Sequence, residues 1–448
     1  MRILHTSDWH LGQSFYGKSR QAEHRAFLAW LLAQIEQFQI DALIVAGDIF
    51  DTSTPPSYAR TLYNQFVVQM QGSGCQLFVL GGNHDSVAML SESSELLACL
   101  GTVVVPNAQS DVAAQVFTLH DRQGQAVGVL GAVPFLRPRD LITSQAGEDG
   151  AQKQLRLGEA IKAHYDAVYA KAHADARALA NAKSQTQKEA GEALPVILTG
   201  HLTTVGASSS ESVRDIYIGT LDAFNASGFP PADYIALGHI HRPQKVAGTE
   251  HIRYSGSPLC LSFDELGKAK QVLMAEFDAH GLTAVQELKV PMFQPMAQIK
   301  GDLEGIARQL DELSLPGAVA ETANDTDSIH AADRNSIGKT LWLAVEVQSQ
   351  EYLSDLQSRV EALVGERPFE VLQLKRQRQQ TTGMTQAEQE TLSELSIEEV
   401  FERRLTLEHF DTEAEQARVE RLKQLYRTVA AQVQSADANV VTDEEAAS

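Results

Sequence analysis

Five short apolar runs in this chain each end at side chains able to bind a metal. Ile3-Leu4-His5-Thr6-Ser7 leads into Asp8 and His10, and Leu43-Ile44-Val45-Ala46-Gly47 leads into Asp48. Leu77-Phe78-Val79-Leu80-Gly81-Gly82 leads into Asn83 and His84. Val196-Ile197-Leu198-Thr199-Gly200 ends at His201, and Tyr234-Ile235-Ala236-Leu237-Gly238 ends at His239 and His241. Short apolar runs closed by glycine predict strands buried on both faces. In α/β sheets ligands gather just beyond the carboxyl ends of such strands. The pattern therefore aims Asp, Asn and His at one place.

Between the runs the period changes to helical. Phe27, Trp30, Leu31, Gln34, Ile35 and Phe38 predict a helix over Ala22–Phe38 that covers one face of a sheet. A second helix is predicted over Ser57–Gln71, with Tyr58, Leu62, Phe66 and Met70 on one face, and a short one over Ser91–Leu100. Gly150–Ala193, rich in Ala, Lys, Gln and Glu, with Ile161, Tyr165, Val168 and Tyr169 spaced helically, predicts a surface helix followed by a solvated loop. Strands at Val272–Phe277 and Leu282–Val290 close a layered α/β domain with mixed strands at 1–293.

A second unit is predicted over 294–377. Ala297–Lys300, the alternating Leu341, Leu343, Val345 and Val347, and Phe369–Leu374 are its strands. Leu303, Ile306, Leu310 and Leu313 mark one helix, and Leu353, Leu356, Val360 and Leu363 another. The polar stretch from Gly317 to Ser336 is expected to be a mobile loop. This βαβαβ unit has no cluster of metal ligands, so its expected role is recognition or capping. Residues 378–448 form a polar linker, two apolar helix faces and an acidic end expected to be disordered. The faces are Leu392, Leu395, Ile397, Val400, Phe401, Leu405 and Leu407, then Val419, Leu422, Leu425, Tyr426 and Val429. Such a pair either folds back or docks a partner.

Composition narrows the class. The chain has 448 residues, 43% hydrophobic and 21% charged, as in an ordinary globular protein of two or three domains. Met1-Arg2-Ile3-Leu4 runs directly into the first motif, which argues against a signal peptide, and no apolar run reaches the length of a membrane span. The 3 cysteines, Cys75, Cys99 and Cys260, lie far apart without zinc-type pairing, and the expected home is a reducing cytoplasm. A net charge of −21 argues against non-specific nucleic-acid binding. From Met384 to the end, 15 acids against 6 bases put −9 in the last 65 residues. A metal centre would in any case bring its own positive charge for phosphate.

The chemistry at the strand ends points to such a centre. Asp8 and His10 are two apart, as are His239 and His241, which in extended backbone puts both side chains on one side. A ligand set of Asp oxygen, Asn carbonyl and His nitrogen suits Mn²⁺, Fe²⁺ or Zn²⁺ better than Mg²⁺. Two ions about 3.5–4 Å apart need a shared carboxylate and can clamp both reacting oxygens of a phosphoryl group. Asp48 is the expected bridge.

Asp8-Trp9-His10, Gly47-Asp48-Ile49-Phe50-Asp51, Gly82-Asn83-His84-Asp85, Gly200-His201 and Gly238-His239-Ile240-His241 resemble the five motifs of the calcineurin-like metallophosphoesterases. Within that superfamily the chain is similar to the nuclease subunits of bacterial ATPase-linked nuclease complexes. The stretches that carry this likeness are Ser7–Gly12, Pro134-Phe135-Leu136-Arg137-Pro138-Arg139-Asp140, Thr199–Thr204 and Ser393–Phe401. The resemblance implies a metallophosphoesterase sandwich with a small α/β capping domain and a C-terminal helical tail. It implies a dimeric Mn²⁺-dependent nuclease working with a coiled-coil ATPase on DNA ends and hairpins, as double-strand exonuclease and single-strand endonuclease. Asp8, His10, Asp48 and His241 would hold one ion, and Asp48, Asn83, His201 and His239 the other. His84 would be catalytic. Asp51, by analogy with the Gly-Asp-x-x-Asp segment, would orient His84, although it could equally be a turn or cap residue before Pro55-Pro56.

The departures from the family are the tracts at 151–193 and 317–339, and neither touches a motif. A metallophosphatase would use the same centre. Phosphoprotein phosphatases of the superfamily carry an arginine after this segment, where Thr52 stands here. A non-catalytic adaptor would have lost ligands, and the motifs are complete.

Overall fold

The structure is a computed structural model that describes residues 1–143, 149–187, 193–208, 210, 223–313, 340–348 and 355–377. The chain divides into two compact units, Met1–Gln379 and Gln380–Ser448, and the described residues belong to the first. The expected tail helices and the 317–339 loop lie outside the described residues.

Two six-stranded sheets form the body of the first unit. In one, the parallel strands Arg2–Thr6, Ala42–Val45, Gln76–Leu80 and Thr102–Val105 are extended by the antiparallel Gln271–Asp278 and Gly281–Lys289. In the other, Ala126–Gly131, Val196–His201, Tyr234–Gly238 and Ile252–Tyr254 run parallel, with antiparallel strands Val116–His120 and Gln244–Lys245 at its edges. The expected mixed α/β layering is thus present.

Side-chain alternation explains why the strands read as unbroken apolar runs. Ala42, Ile44 and Ala46 face the space between the sheets, where they meet Ile197, Tyr234 and Ala236. Leu43 and Val45 face the other way, against Phe27, Leu31 and Ile35 of helix Gln21–Gln37 and Leu62 and Phe66 of helix Ser57–Met70. Burying each such large side chain contributes roughly 1.5–3 kcal/mol.

The outer face of the second sheet is covered by the expected helix, more deeply buried than its composition suggests. Helix Gly150–Gln187 is 38 residues long and buries Leu157, Ile161, Tyr165, Val168, Ala172 and Ala176 against Val196, Leu198, Ile235 and Leu237. The helically spaced Ile161, Tyr165, Val168 and Tyr169 mark this face in sequence, and alanine, which packs closely but gives little apolar signal, continues it. The predicted helix over Ser91–Leu100 is two short ones, Val87–Ser91 and Ser94–Cys99.

A parallel three-stranded sheet, Met296–Gly301, Leu341–Gln348 and Phe369–Gln377, carries helices Leu303–Glu312 and Leu356–Val364 on one face. Asp302 caps the first of these helices by accepting from Gly305 N at 2.7 Å. The other face meets the sandwich at a small apolar junction, where Trp342 stacks on Phe15 at 5.6 Å and Phe263 packs edge-on to the same ring. Among the described residues no helix is long and apolar enough to cross a membrane.

Candidate metal centre

Parallel pairing brings the chemistry together. The strand ending at Thr6 pairs with the one ending at Val45, and that one with the one ending at Leu80, so their following loops emerge side by side. On the facing sheet His201 lies opposite Gly238. The loops are then laced by backbone: Asp8 N donates to Gly47 O at 3.0 Å, and His10 N to Asp48 O at 3.1 Å.

Asp8, His10 and Asp48 have φ of 55°, 46° and 53°, and His239 has φ of 91°. The expectation of an extended Asp-x-His segment is therefore corrected. These side chains converge because the backbone turns sharply through the left-handed region, not because a strand continues. Such conformations cost on the order of 1–3 kcal/mol each and concentrate at functional sites. The neighbouring glycines make room. A Cβ on Gly47 would come within 2.2 Å of His201 Nδ1, and one on Gly82 within 2.1 Å of Asp48 Oδ1.

The predicted residues meet. Single ligand atoms of Asp8, His10 and His241 lie within 4.8 Å of one another, as do those of Asp48, His201 and His239. Asp48 Oδ2 stands 3.3 Å from His201 Nε2 and 3.7 Å from His10 Nε2, between the two groups. Asn83 Oδ1 lies 2.8 Å from His201 Nε2 and 3.0 Å from His239 Nδ1. A further triad joins His10 and Asp48 to His84. His5, by contrast, belongs to the core: its ring meets Tyr234 Oη at 3.0 Å and Leu237 O at 3.2 Å, and burial pulls its pKa to about 3.

The donor set fits divalent metals. His10 Nε2 is buried with no hydrogen-bond partner among the described residues, although it faces Asp48. His201 Nδ1 is bonded to Ala46 O at 2.8 Å and His10 Nδ1 to Asp51 Oδ1 at 3.2 Å, which leaves both Nε2 atoms for the centre. Burial opposes charge on His201, yet the Asp48 carboxylate outweighs it and pushes the imidazole up to about 9. Burial likewise opposes charge on His10, and the Asp51 hydrogen bond with the Asp48 and Asp8 charges raises it nonetheless. For Asp48 burial works against ionisation, and His201 and His10 still hold it well below the usual carboxylate range. His239, desolvated and beside His201, falls to about 3, so it offers a neutral nitrogen. A buried cluster that attracts protons this strongly attracts divalent cations by the same Coulomb term, and binding them releases the protons.

His84 and His10 stand edge to face, with ring centroids 4.7 Å apart. The expected Asp51–His84 partnership exists in a different form. Asp51 gives His84 its backbone carbonyl, 2.8 Å from Nδ1, while its carboxylate accepts from His10. His10, Asp51, His84 and His241 line one side of a pocket of about 300 Å³, and Phe15 and Tyr16 line another.

Two residues that hold the centre together were quoted in the sequence motifs without a role. The Asp85 carboxylate accepts from Ile49 N, Phe50 N and Gly82 N at 3.1, 3.0 and 2.8 Å, bolting the Asp48 loop to the Asn83-His84 loop. Burial, reinforced by the nearby Asp48 charge, raises its pKa to about 6. Arg137 donates to Asp85 O at 2.9 Å and Gly82 O at 3.3 Å from the opposite side. The only sequence signal for Asp85 is its place two residues after Asn83.

Paired sheets with metal-capable loops at one end define a metallophosphoesterase. Residues 1–243 match the profile of the calcineurin-like phosphoesterases, and residues 292–409 match SbcD_C, described as the type 5 capsule protein repressor C-terminal domain. The chain is 52% identical to SbcD of the Escherichia coli K12 nuclease SbcCD, over 94% of this chain and 96% of that one. The SbcD chains of Rhodobacter capsulatus and Bacillus subtilis are 37% and 31% identical, each over 70% of this chain and 76% of the relative. The chain belongs to the SbcD family of calcineurin-like phosphoesterases.

Proposed function

We propose that this chain is the nuclease subunit of an SbcCD-type complex. It hydrolyses DNA phosphodiesters at ends and hairpins in repair, recombination and replication. The observation that carries this is a set of metal-capable residues converging from strand ends of both sheets, in a chain 52% identical over 94% of its length to the SbcD chain of a nuclease. Asp8, His10, Asp48 and His241 would hold one divalent ion; Asp48, Asn83, His201 and His239 would hold the second. The mixed oxygen and nitrogen donors favour Mn²⁺. When bound, the ions would supply positive charge to the scissile phosphate and an activated water.

The chain's own residues do the rest. Asp48 keeps the two halves of the centre in register, and Asp85 and Arg137 fix the loops that carry Asp48 and Asn83. His84, its Nδ1–H directed at Asp51 O, would be the general acid that meets the leaving oxygen.

Residues 1–293 would form the nuclease domain and 294–377 a cap beside the pocket; the Phe15–Trp342 stack supports that pairing. The protein would be a cytoplasmic homodimer, and the apolar faces in 378–448 would dock the coiled-coil ATPase SbcC. Ending the chain after Gln379 is then expected to leave Mn²⁺-dependent cleavage intact and abolish capture of SbcC. Capture at unchanged affinity would place the partner's contact elsewhere.

The test of function offers the purified chain labelled duplex and hairpin DNA, and separately a phosphomonoester, with Mn²⁺, Mg²⁺ or chelator. Metal-dependent shortening of DNA is expected. Turnover of the monoester alone would instead make the chain a phosphatase.

A further inference from the structure

His10 and His201 each direct Nδ1 at a fixed oxygen, which turns Nε2 toward the centre. His241 Nδ1 likewise faces a carboxylate, that of a residue outside every motif. Its Nδ1 lies 3.5 Å from Glu265 Oε1. Glu265 sits at the end of the short turn Phe263–Glu265, and its side chain is 1% exposed. A carboxylate buried to that degree is retained only when charge and hydrogen bonds surround it. Here they do. Lys270 Nζ lies 2.5 Å from Oε2, Leu261 N donates to Oε2 at 3.0 Å, and Ser210 Oγ donates to Oε1 at 2.8 Å. Lys270 also reaches the backbone of the histidine itself, donating to His241 O at 3.1 Å. One ion pair thus grips His241 at both its ring and its carbonyl.

We propose that Glu265 is a positioning residue for metal binding. It accepts the Nδ1 proton of His241, favours the tautomer protonated at Nδ1, and holds the ring plane toward Asp8 and His10. Lys270 keeps the carboxylate in place. The turn that carries Glu265 is anchored on the far side by Phe263, packed against Phe15 at 5.0 Å, so Glu265 is not free to swing away. This rests on the assignment of His241 as a ligand. Removing an outer carboxylate from a metal-bound histidine typically weakens affinity about 10–100-fold. A purely structural ion pair would affect folding and leave metal affinity alone.

The experiment titrates Mn²⁺ into the full-length chain and into Glu265→Gln, Glu265→Asp, Glu265→Gln/Lys270→Met and His241→Ala. Calorimetry and the loss of free-Mn²⁺ paramagnetic signal report binding, and thermal melts report folding. Glu265→Gln is expected to weaken one of two sites roughly 10–100-fold and leave the other unchanged, with partial recovery in Glu265→Asp. The double variant removes both buried charges, so it should recover thermal stability and keep the weakened site. A weakened site restored to full affinity in the double variant would overturn the proposal, and so would Glu265→Gln melting early with both sites intact. His241→Ala separates the two levels of inference. If it loses a site while Glu265→Gln does not, only the positioning role fails. If it keeps both, the ligand assignment fails with it.

Discussion

Asp48→Ala is expected to empty both halves of the centre and abolish cleavage, while the sandwich remains folded. Asp48 is 1% exposed and stands between the groups, with Oδ2 toward His201 and His10 and Oδ1 accepting from His84 N at 2.9 Å. Asp8, in the His10–His241 group, reaches the other group at the backbone, accepting from His239 N at 3.0 Å, whereas Asp48 faces imidazole nitrogens of both. Losing the bridge removes one ligand from each ion and brings the positive potential of His201 and His10 to the fore. Two-ion stabilisation of a phosphoryl transition state is worth several kcal/mol, so cleavage should fall by roughly 10³-fold or more. Asp48→Asn, which keeps shape and the acceptor for His84 N but not the charge, should lose most of the same affinity. The check is metal content by mass spectrometry beside circular dichroism and cleavage of labelled DNA. Two ions retained in Asp48→Ala would end the bridging assignment.

The positions of the candidate ligands were legible because each lies at or just past the end of an apolar strand in sequence. The run Leu43-Ile44-Val45-Ala46 marks a strand buried on both faces, and Gly47-Asp48 marks where it stops. How the side chains are aimed was not legible. A spacing of two is compatible with extended backbone, whereas Asp8 and His10 turn through positive φ because their loop is laced to Gly47 and Asp48 from the next strand. That lacing is a tertiary fact. The same holds for Asp51. Whether its carboxylate or its carbonyl reaches His84 depends on how two loops from different strands lie together, and local sequence carries no information on that. Glu265 and Trp342 lay further out of reach, since their partners His241 and Phe15 are brought to them only by folding. The helix expected within Gly150–Ala193 is present as Gly150–Gln187, with the helically spaced Ile161, Tyr165 and Val168 buried, but the length of its buried stripe was not legible. Ala172 and Ala176 bury fully, yet alanine is common on solvated helices too, so composition could not tell the two settings apart.

His84→Gln is expected to keep both metal ions and DNA affinity and to lose cleavage by roughly 10²–10⁴-fold, the range for general acid–base work. His84 lines the pocket beside His10 and is oriented by its Nδ1–H bond to Asp51 O, so as the proposed general acid it would deliver a proton or meet developing charge on the leaving oxygen. A glutamine fills similar space and can still donate to the carbonyl, so the loops should stay in place, but it has no proton to transfer near neutral pH. Because a backbone carbonyl orients His84, Asp51→Asn leaves that contact standing. Its effect should instead run through His10, whose Nδ1 meets the carboxylate at 3.2 Å. A smaller loss of cleavage is expected there, with weaker binding of one ion. The two variants therefore separate in a single-turnover assay at saturating Mn²⁺, with metal content measured on the same samples. At saturation Asp51→Asn should recover much of its rate, and His84→Gln should recover none. The triad of His10, Asp48 and His84 leaves a sharp alternative in which His84 is itself a ligand. Loss of an ion from His84→Gln would select that alternative and remove the general acid from this side of the pocket.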